Sequence, residues 1–553
     1  MTAAHWALLI LACVYYAAFI LRTSFVIDGV RHFCLFDDAM ISMRYAGNLA
    51  HGYGLVWNPG GERVEGFTNP LWTLYLALFH LLPISPQTLS LPVQVSGAMF
   101  LLGTLLYVKR IALLLSRRSQ LAAFTAVALT AFYLPLVNWS LQGMEVSLLA
   151  LLVTAAGYHL LASLSRGEFS ALPYLLLGTA LLVRLDAMVP LLTMLLFGLL
   201  AQRRHRRSHL LLGIIALALG LGSQTVFRVL YYGDLLPNTY YLKLTGYPAS
   251  LRVLRGLYYY WVFIVRLPWW LLLLAVFPLL RPRTRGAALL AALFCAQSAY
   301  SIYVGADIWE WWGGSNRYLS ITMPAFLLLV ALGLARLSAW AVAGLESRAR
   351  WMSVAATGLT AALALLCVVA ANSFTRDSRQ QWLLRQPPLH QMDNAHNVRT
   401  ARLSREVTTD QALIALSWAG AIPYFSGRPS HDLLGKCDRR IAHEPAHVIT
   451  GWNVMDSFVP GHLKWDFDYS ILQLQPDLVL RDISRGPKQK AAFLQRYRSF
   501  YLGEQLVYAR LGSPRIRWEA LRRLDAAEKQ RQRKAWERSA GGRPLTLLGA
   551  GQR

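Results

Sequence analysis

The sequence predicts a polytopic α-helical membrane protein of about eleven transmembrane helices, followed by a C-terminal α/β domain. Three observations predict it. Only 15% of the 553 residues are charged and 55% are apolar, against about 25% charged in an ordinary soluble domain. The apolar residues fall in blocks of roughly 20, the length that crosses a bilayer as helix. Basic residues gather in gaps between the blocks. Together these exclude a disordered chain and a single soluble globule. Five cysteines, Cys13, Cys34, Cys295, Cys367 and Cys437, stand in no metal-ligand spacing, which excludes a zinc finger and a disulfide-dense scaffold. The net charge of +26 would suit nucleic acid, but its distribution does not.

Taken in order, the apolar blocks lie near 6–27, 88–108, 119–136, 145–163, 170–184, 187–202, 210–231, 258–280, 286–304, 319–335 and 352–371. The first lacks a small-residue cleavage site and reads as a span, not a signal peptide. Segment 70–84 is too short to cross and reads as an interfacial or re-entrant helix. The basic gaps are Lys109 to Arg118, the Arg166 loop, Arg203 to Arg207, Arg281 to Arg285 and Arg336 to Arg350. With alternating spans they share one side, which the positive-inside rule makes cytoplasmic. Ten of the twelve acids in residues 1–372 then fall at or near the outer face; only Glu168 and Glu346 do not. Carboxylates beside hydrocarbon usually face a partner or a wet cavity, so a polar site is expected to open there. The bland alternative is that outer loops are simply less basic.

The membrane module is placed at 1–372, with 28–70 as its first outer loop. Residues 373–553 form the outer α/β domain. Ala412 to Trp418 reads as a buried strand, followed by a turn and a short helix to Tyr424; Gln475 to Leu480 reads as a second strand. From Arg515 the chain is basic and helical, suited either to anionic headgroups or to a solvated end.

The first outer loop carries the chemistry. Asp37 and Asp38 follow directly after the first span, and Arg44, Tyr45 and Asn48 share one helical face behind them. Adjacent acids on a helix point about 100° apart, so one of the pair reaches a reacting centre; alternatively they cap the helix Ala39 to Ala50. Glycines at 52, 54, 60 and 61 turn the chain before Gly61-Glu-Arg-Val-Glu-Gly-Phe-Thr-Asn-Pro-Leu-Trp72.

This loop resembles the first periplasmic loop of membrane glycosyltransferases with the GT-C fold. It is most similar to the mycobacterial terminal arabinofuranosyltransferase family. The likeness extends to Gly143-Met-Glu145, Gly233 to Tyr240, the loop Asp307 to Tyr318, Gly420 to Gly427, His431 to Gly435 and Pro460-Gly-His462. The loop 306–318 departs from the family in its tryptophans, Trp309, Trp311 and Trp312, which suit a sugar face or a headgroup anchor. The resemblance implies an inverting transferase moving a sugar, arabinofuranose in that family, from a polyprenyl-phosphate donor to a cell-envelope glycan or glycolipid. The location it implies is the periplasmic face of a bacterial cytoplasmic membrane. Asp37 or Asp38 would be the base, the first acid favoured by resemblance.

Donor phosphate needs positive charge, and Arg184, Arg228, Lys243 and Arg317 lie near outer ends of spans. Each has the alternative of snorkelling or pairing, Arg184 with Asp186 and Arg317 with Asp307. Sugar and acceptor contacts are assigned to Arg44, Tyr45, Asn58, Arg63, Glu65, Asn69, Glu145, Asn238, Asp307, His431, Asp432 and His462, with a satisfied structural histidine as the alternative for His431 and His462 and an interface belt as that for Asn238. Glu145 has the alternative of complementing a helix dipole. Cys34 and Cys437 are both outer and free to pair. No metal site or cofactor is assigned, a divalent cation remaining an option, and nucleic acid is excluded as a partner. No Gly-rich nucleotide cradle occurs in a cytoplasmic loop. The rival readings are a lipid-linked sugar flippase or transporter, with Arg184 and Asp186 between two spans as its nearest feature, and a sensor or assembly scaffold.

Overall fold

The computed structural model describes residues 3–280, 285–310, 314–343, 350–447 and 458–539. Trp311 and Trp312, the basic gap at 281–284 and most of the gap around Glu346 lie outside the described residues. The chain divides into two compact units, Met1–Ala395 with Leu434–Lys464, and His396–Leu433 with Trp465–Arg553. The division by contacts therefore falls later than the sequence boundary at 372. It also assigns a return segment, 434–464, to the first unit.

Among the described residues of the first unit six helices are long and apolar enough to cross a membrane: Ala3–Thr23, Ser90–Leu115, Val146–Arg166, Arg203–Tyr232, Arg285–Tyr303 and Met323–Ala341. Two bent pairs raise this to eight, Gln120–Ala131 with Leu134–Leu141 (51°) and Ala249–Arg266 with Trp269–Leu280 (94°). Shorter apolar helices follow at Leu172–Val183, Leu185–Ala201 and Gly358–Ala370. These eleven segments fall on the eleven apolar blocks, though five of them are bent or short. Proline explains both bends: Pro135 opens Leu134–Leu141 and Pro268 precedes Trp269, since proline removes an N–H and clashes with the preceding turn. Segment 70–84 holds an eleven-residue helix, Pro70–His80, too short to span.

Close helix packing is set by glycine. A Cβ on Gly333 would stand 1.9 Å from the Leu274 carbonyl oxygen, and one on Gly256 2.1 Å from that of Ile302. Small residues let backbones approach in this way where hydrophobic burial gives helices no preference for one another.

A two-stranded hairpin that the hydropathy pattern does not foretell, β1 (Phe25–Ile27) and β2 (Val30–His32), follows the first helix. Its turn is Asp28-Gly29, both at positive φ, the usual tight-hairpin pair. The hairpin delivers the chain to Phe36, whose N–H donates to Gln142 O at 2.9 Å, and helix Asp37–Ala50 starts there.

The second unit is a mixed five-stranded sheet of β3 (Ile414–Leu416), β4 (Ser430–Asp432), β5 (Leu478–Val479), β6 (Tyr497–Leu502) and β7 (Gln505–Arg510), in the order β4-β3-β5-β7-β6. β3 runs parallel to β4 and β5; β7 is antiparallel to β5 and β6. Both predicted strands are present in shorter form, and the basic helix is Trp518–Ser539. The core gathers Ala415, Leu433, Phe467, Ile471, Val479, Phe493 and Tyr497. Cys34 and Cys437 are buried and not joined to each other, so the optional disulfide is not formed.

Candidate active site

Helix Asp37–Ala50 begins with both acids in its first turn, and no side chain caps it. Asp37 is buried at 3% exposure, whereas the Asp38 side chain keeps 21%. Asp38 is the acid that reaches outward. Its Oδ2 accepts from Arg317 Nη1 at 2.8 Å and its Oδ1 from Lys436 Nζ at 3.2 Å. Burial pushes the Asp38 carboxyl up, but Lys436, Arg317 and Lys243 outweigh it and hold the group well below the usual carboxylate range.

Arg317 joins two acids. Asn316 caps the turn in which it sits, accepting from Leu319 N–H. Arg317 Nε lies 2.9 Å from Asp307 Oδ2 and its Nη2 donates to Asp307 Oδ1 at 3.2 Å. Asp307 is itself fixed: Arg255 Nη2 donates to its carbonyl at 2.9 Å, and its N–H donates to Glu310 Oε1 at 2.7 Å. Burial pushes Glu310 up to about 7, and Asn316 Nδ2 also donates to its Oε1, at 2.6 Å.

Lys243, on helix Asn238–Leu244, makes no hydrogen bond or ion pair among the described residues. Burial first, then the neighbouring Arg317, lowers its ammonium to about 8, with Asp38 and Asp307 pulling the other way. His462 lies in the same field: burial and then Lys436 lower it to about 4. Its Nδ1 is 3.0 Å from Pro460 O, which leaves a neutral imidazole with Nε2 unprotonated.

The remaining candidates have internal partners. Glu145 is fully buried at the N-terminus of helix Val146–Arg166, pairs with Arg184 Nη1 at 2.7 Å and accepts from Asn69 Nδ2 at 2.7 Å. A buried carboxylate needs such partners. Arg184 also meets Asp186 at 3.1 Å and lies over the Tyr318 ring at 4.8 Å; Arg317 lies over the same ring at 5.6 Å. The two pairings anticipated from the sequence, Arg184 with Asp186 and Arg317 with Asp307, are both present. Arg228 pairs with Glu65. Three of the four expected phosphate cations thus already form ion pairs with carboxylates, whereas Lys243 forms none among the described residues.

The loop residues shape the loop. Arg44 Nε and Asn48 Nδ2 donate to Trp57 O at 2.6 and 3.1 Å, and Arg44 Nη2 to Asn58 Oδ1 at 2.9 Å. Tyr45 OH donates to Val64 O at 2.7 Å. Arg63 stacks on Tyr231. Gly66 must be glycine, since a Cβ there would stand 2.5 Å from Cys437 Sγ and 2.8 Å from Tyr45 OH. That close approach seats the first loop against the return segment. Asn238 completes the seat, donating to Gly435 O and Lys436 O at 2.9 and 3.0 Å. His431 and Asp432 belong to β4 of the second unit. Both are buried there, His431 Nε2 lying 2.9 Å from Ser470 Oγ.

Lys436, Arg255, Glu310 and Asn316 were not named as site residues by sequence reasoning. Lys436 directly follows the His431 to Gly435 motif, which was the available signal. Among the described residues no three His, Cys, Asp or Glu side chains converge as a cation cage. Asp38 and Asp307 are instead bridged by a guanidinium with two ammonium groups nearby, a donor set that does not fit a divalent cation.

The fold has known relatives. ArnT from Cupriavidus metallidurans in the apo state is similar over 92% of this chain and 98% of its own, at 14% identity and a TM-score of 0.53. The same protein bound to undecaprenyl phosphate is similar over 93% and 99%, at 13% and 0.52. The Archaeoglobus fulgidus oligosaccharyltransferase in complex with zinc and sulfate is similar over 91% of this chain and 73% of its own, at 11% and 0.53. Residues 389–530 match a family described as a domain of unknown function, DUF8728. No curated protein matches the chain. The class is therefore defined: a polytopic membrane protein of GT-C-type fold with a C-terminal mixed α/β unit.

Proposed function

We propose that the protein is an inverting glycosyltransferase that moves a sugar from a polyprenyl-phosphate donor to an acceptor hydroxyl on the outer face of the membrane. One observation carries the reading: Asp38, a carboxylate at the start of the first-loop helix, stands in a cluster with Arg317, Lys436 and the unpaired Lys243. A carboxylate within hydrogen-bond reach of the acceptor hydroxyl removes its proton as the bond to C1 forms. Charge building on the departing lipid phosphate is met by the cations, and Asp307 and Asp38 face the positive character that develops at the anomeric carbon. Lys243 is the readiest phosphate ligand, because no carboxylate must be displaced to use it.

The fold likeness supports this reading, since one similar structure holds undecaprenyl phosphate and another is an oligosaccharyltransferase. Arabinofuranose as the sugar, and an envelope glycan or glycolipid as acceptor, rest on the sequence resemblance alone. Membranes carrying the protein, given radiolabelled polyprenyl-phosphate sugars of defined identity, are expected to form labelled product from one of them. A second reading, a lipid-linked sugar flippase, is favoured by the break at Arg184 between helices Leu172–Val183 and Met188–Ala201. Movement of labelled lipid across vesicles without any product would select it.

A further inference from the structure

We infer that Lys436 is a ligand of the donor phosphate and that Asp38 holds its ammonium in place until the donor binds. This rests on the transferase reading above. Asp38 is gripped at both oxygens, by Arg317 on Oδ2 and Lys436 on Oδ1. The two grips differ. Arg317 is 6% exposed, is also bound by Asp307, and is stacked near Tyr318, so it is fixed. Lys436 and Asp38 keep 13% and 21% side-chain exposure, and an ammonium on a four-carbon stem reorients readily. The backbone beneath it is anchored by Asn238 through the Gly435 and Lys436 carbonyls, so the stem moves while its root stays.

Charge decides what enters. Three cations, Arg317, Lys243 and Lys436, face two carboxylates, Asp38 and Asp307, an excess of one positive charge that the entering donor phosphodiester, a monoanion, neutralises. The phosphodiester offers Lys436 two free oxygens, and as its bond to C1 breaks it gains a third and more charge than a carboxylate carries. When Lys436 turns to it, Asp38 loses one of its two cations and becomes a stronger base. Donor binding thereby arms the base, and an acceptor alone meets a carboxylate already occupied.

The test is binding of undecaprenyl phosphate to the full-length protein in detergent, with undecaprenol and inorganic phosphate as control arms. Wild type is expected to bind the lipid phosphate well above either control. Failure to do so sinks the donor reading and this inference with it. With wild-type binding in hand, Lys436→Met is expected to weaken it about tenfold or more, the scale of one charged hydrogen bond. Lys436→Arg is expected to restore most of the loss. Asp38→Asn is expected to bind as tightly as wild type or tighter, because the competitor is gone, while losing transfer. Lys436→Met binding within threefold of wild type, or weaker binding by a folded Asp38→Asn protein, overturns the inference and leaves the transferase reading standing. Melting curves establish folding; should Asp38→Asn not fold, the comparison of Lys436→Met with Lys436→Arg decides the matter.

Discussion

At the scale of the residue, the two adjacent acids differ in what surrounds them. Asp37 is buried, while Asp38 reaches the cations and solvent, and on that ground we propose Asp38, rather than the first acid favoured by the sequence, as the base. Asp38→Asn is expected to lower turnover by roughly 100- to 10,000-fold, the usual worth of a general base, at near-normal melting temperature. An equal loss in Asp37→Asn with full activity in Asp38→Asn would reverse the assignment. Chelation is expected to leave transfer unchanged; loss under EDTA that Mn²⁺ or Mg²⁺ restores would place a cation in the reaction. Glu310 supplies a pH signature. Its carboxyl, raised by burial to about 7, binds a proton in the folded protein that the unfolded chain releases near its ordinary value. Stability should therefore fall as pH rises from about 4.5 to 7. Glu310→Gln is expected to flatten that slope in melting curves, and an unchanged slope would show that another group sets it. The near pairings here were legible because Asp186 and Asp307 stand close in sequence to their arginines. Asp38 with Lys436 was not, as 398 residues separate them and no local pattern reports a long-range contact.

At the scale of the element, the apolar blocks marked all eleven segments because length and polarity are local properties. What they could not report is where a segment bends, or that five would be broken or short. Pro135 and Pro268 were visible signals for both bends. The β1–β2 hairpin escaped notice because three-residue strands carry too little alternation, although Asp28-Gly29 marks the turn. Helix contacts depend on single glycines that no periodicity singles out. Gly333→Ala puts a methyl against the Leu274 carbonyl and is expected to cost about 1–3 kcal/mol, the range for overpacking. A melting temperature in detergent equal to wild type would show that the two helices separate without cost.

At the scale of the whole molecule, hydropathy changes once, at 372, and the sequence boundary was placed there. Contacts place the second unit at 396–433 and 465–553 instead, because the return segment 434–464 is polar enough to read as soluble yet packs with the first unit's loop through Gly66 and Asn238. Reporter fusions test orientation: those placed after Arg207 and after Asn372 are expected to report opposite sides of the membrane. A common side would end the alternating eleven-segment topology and the outward-facing site with it. The proposed outward-facing site would require a donor already carried across on lipid, which is the central claim. Purified protein offered the same labelled sugar on polyprenyl phosphate and on a nucleotide should transfer it from the lipid, with inverted configuration at C1, and not from the nucleotide. Efficient transfer from the nucleotide sugar by lipid-stripped protein would contradict it.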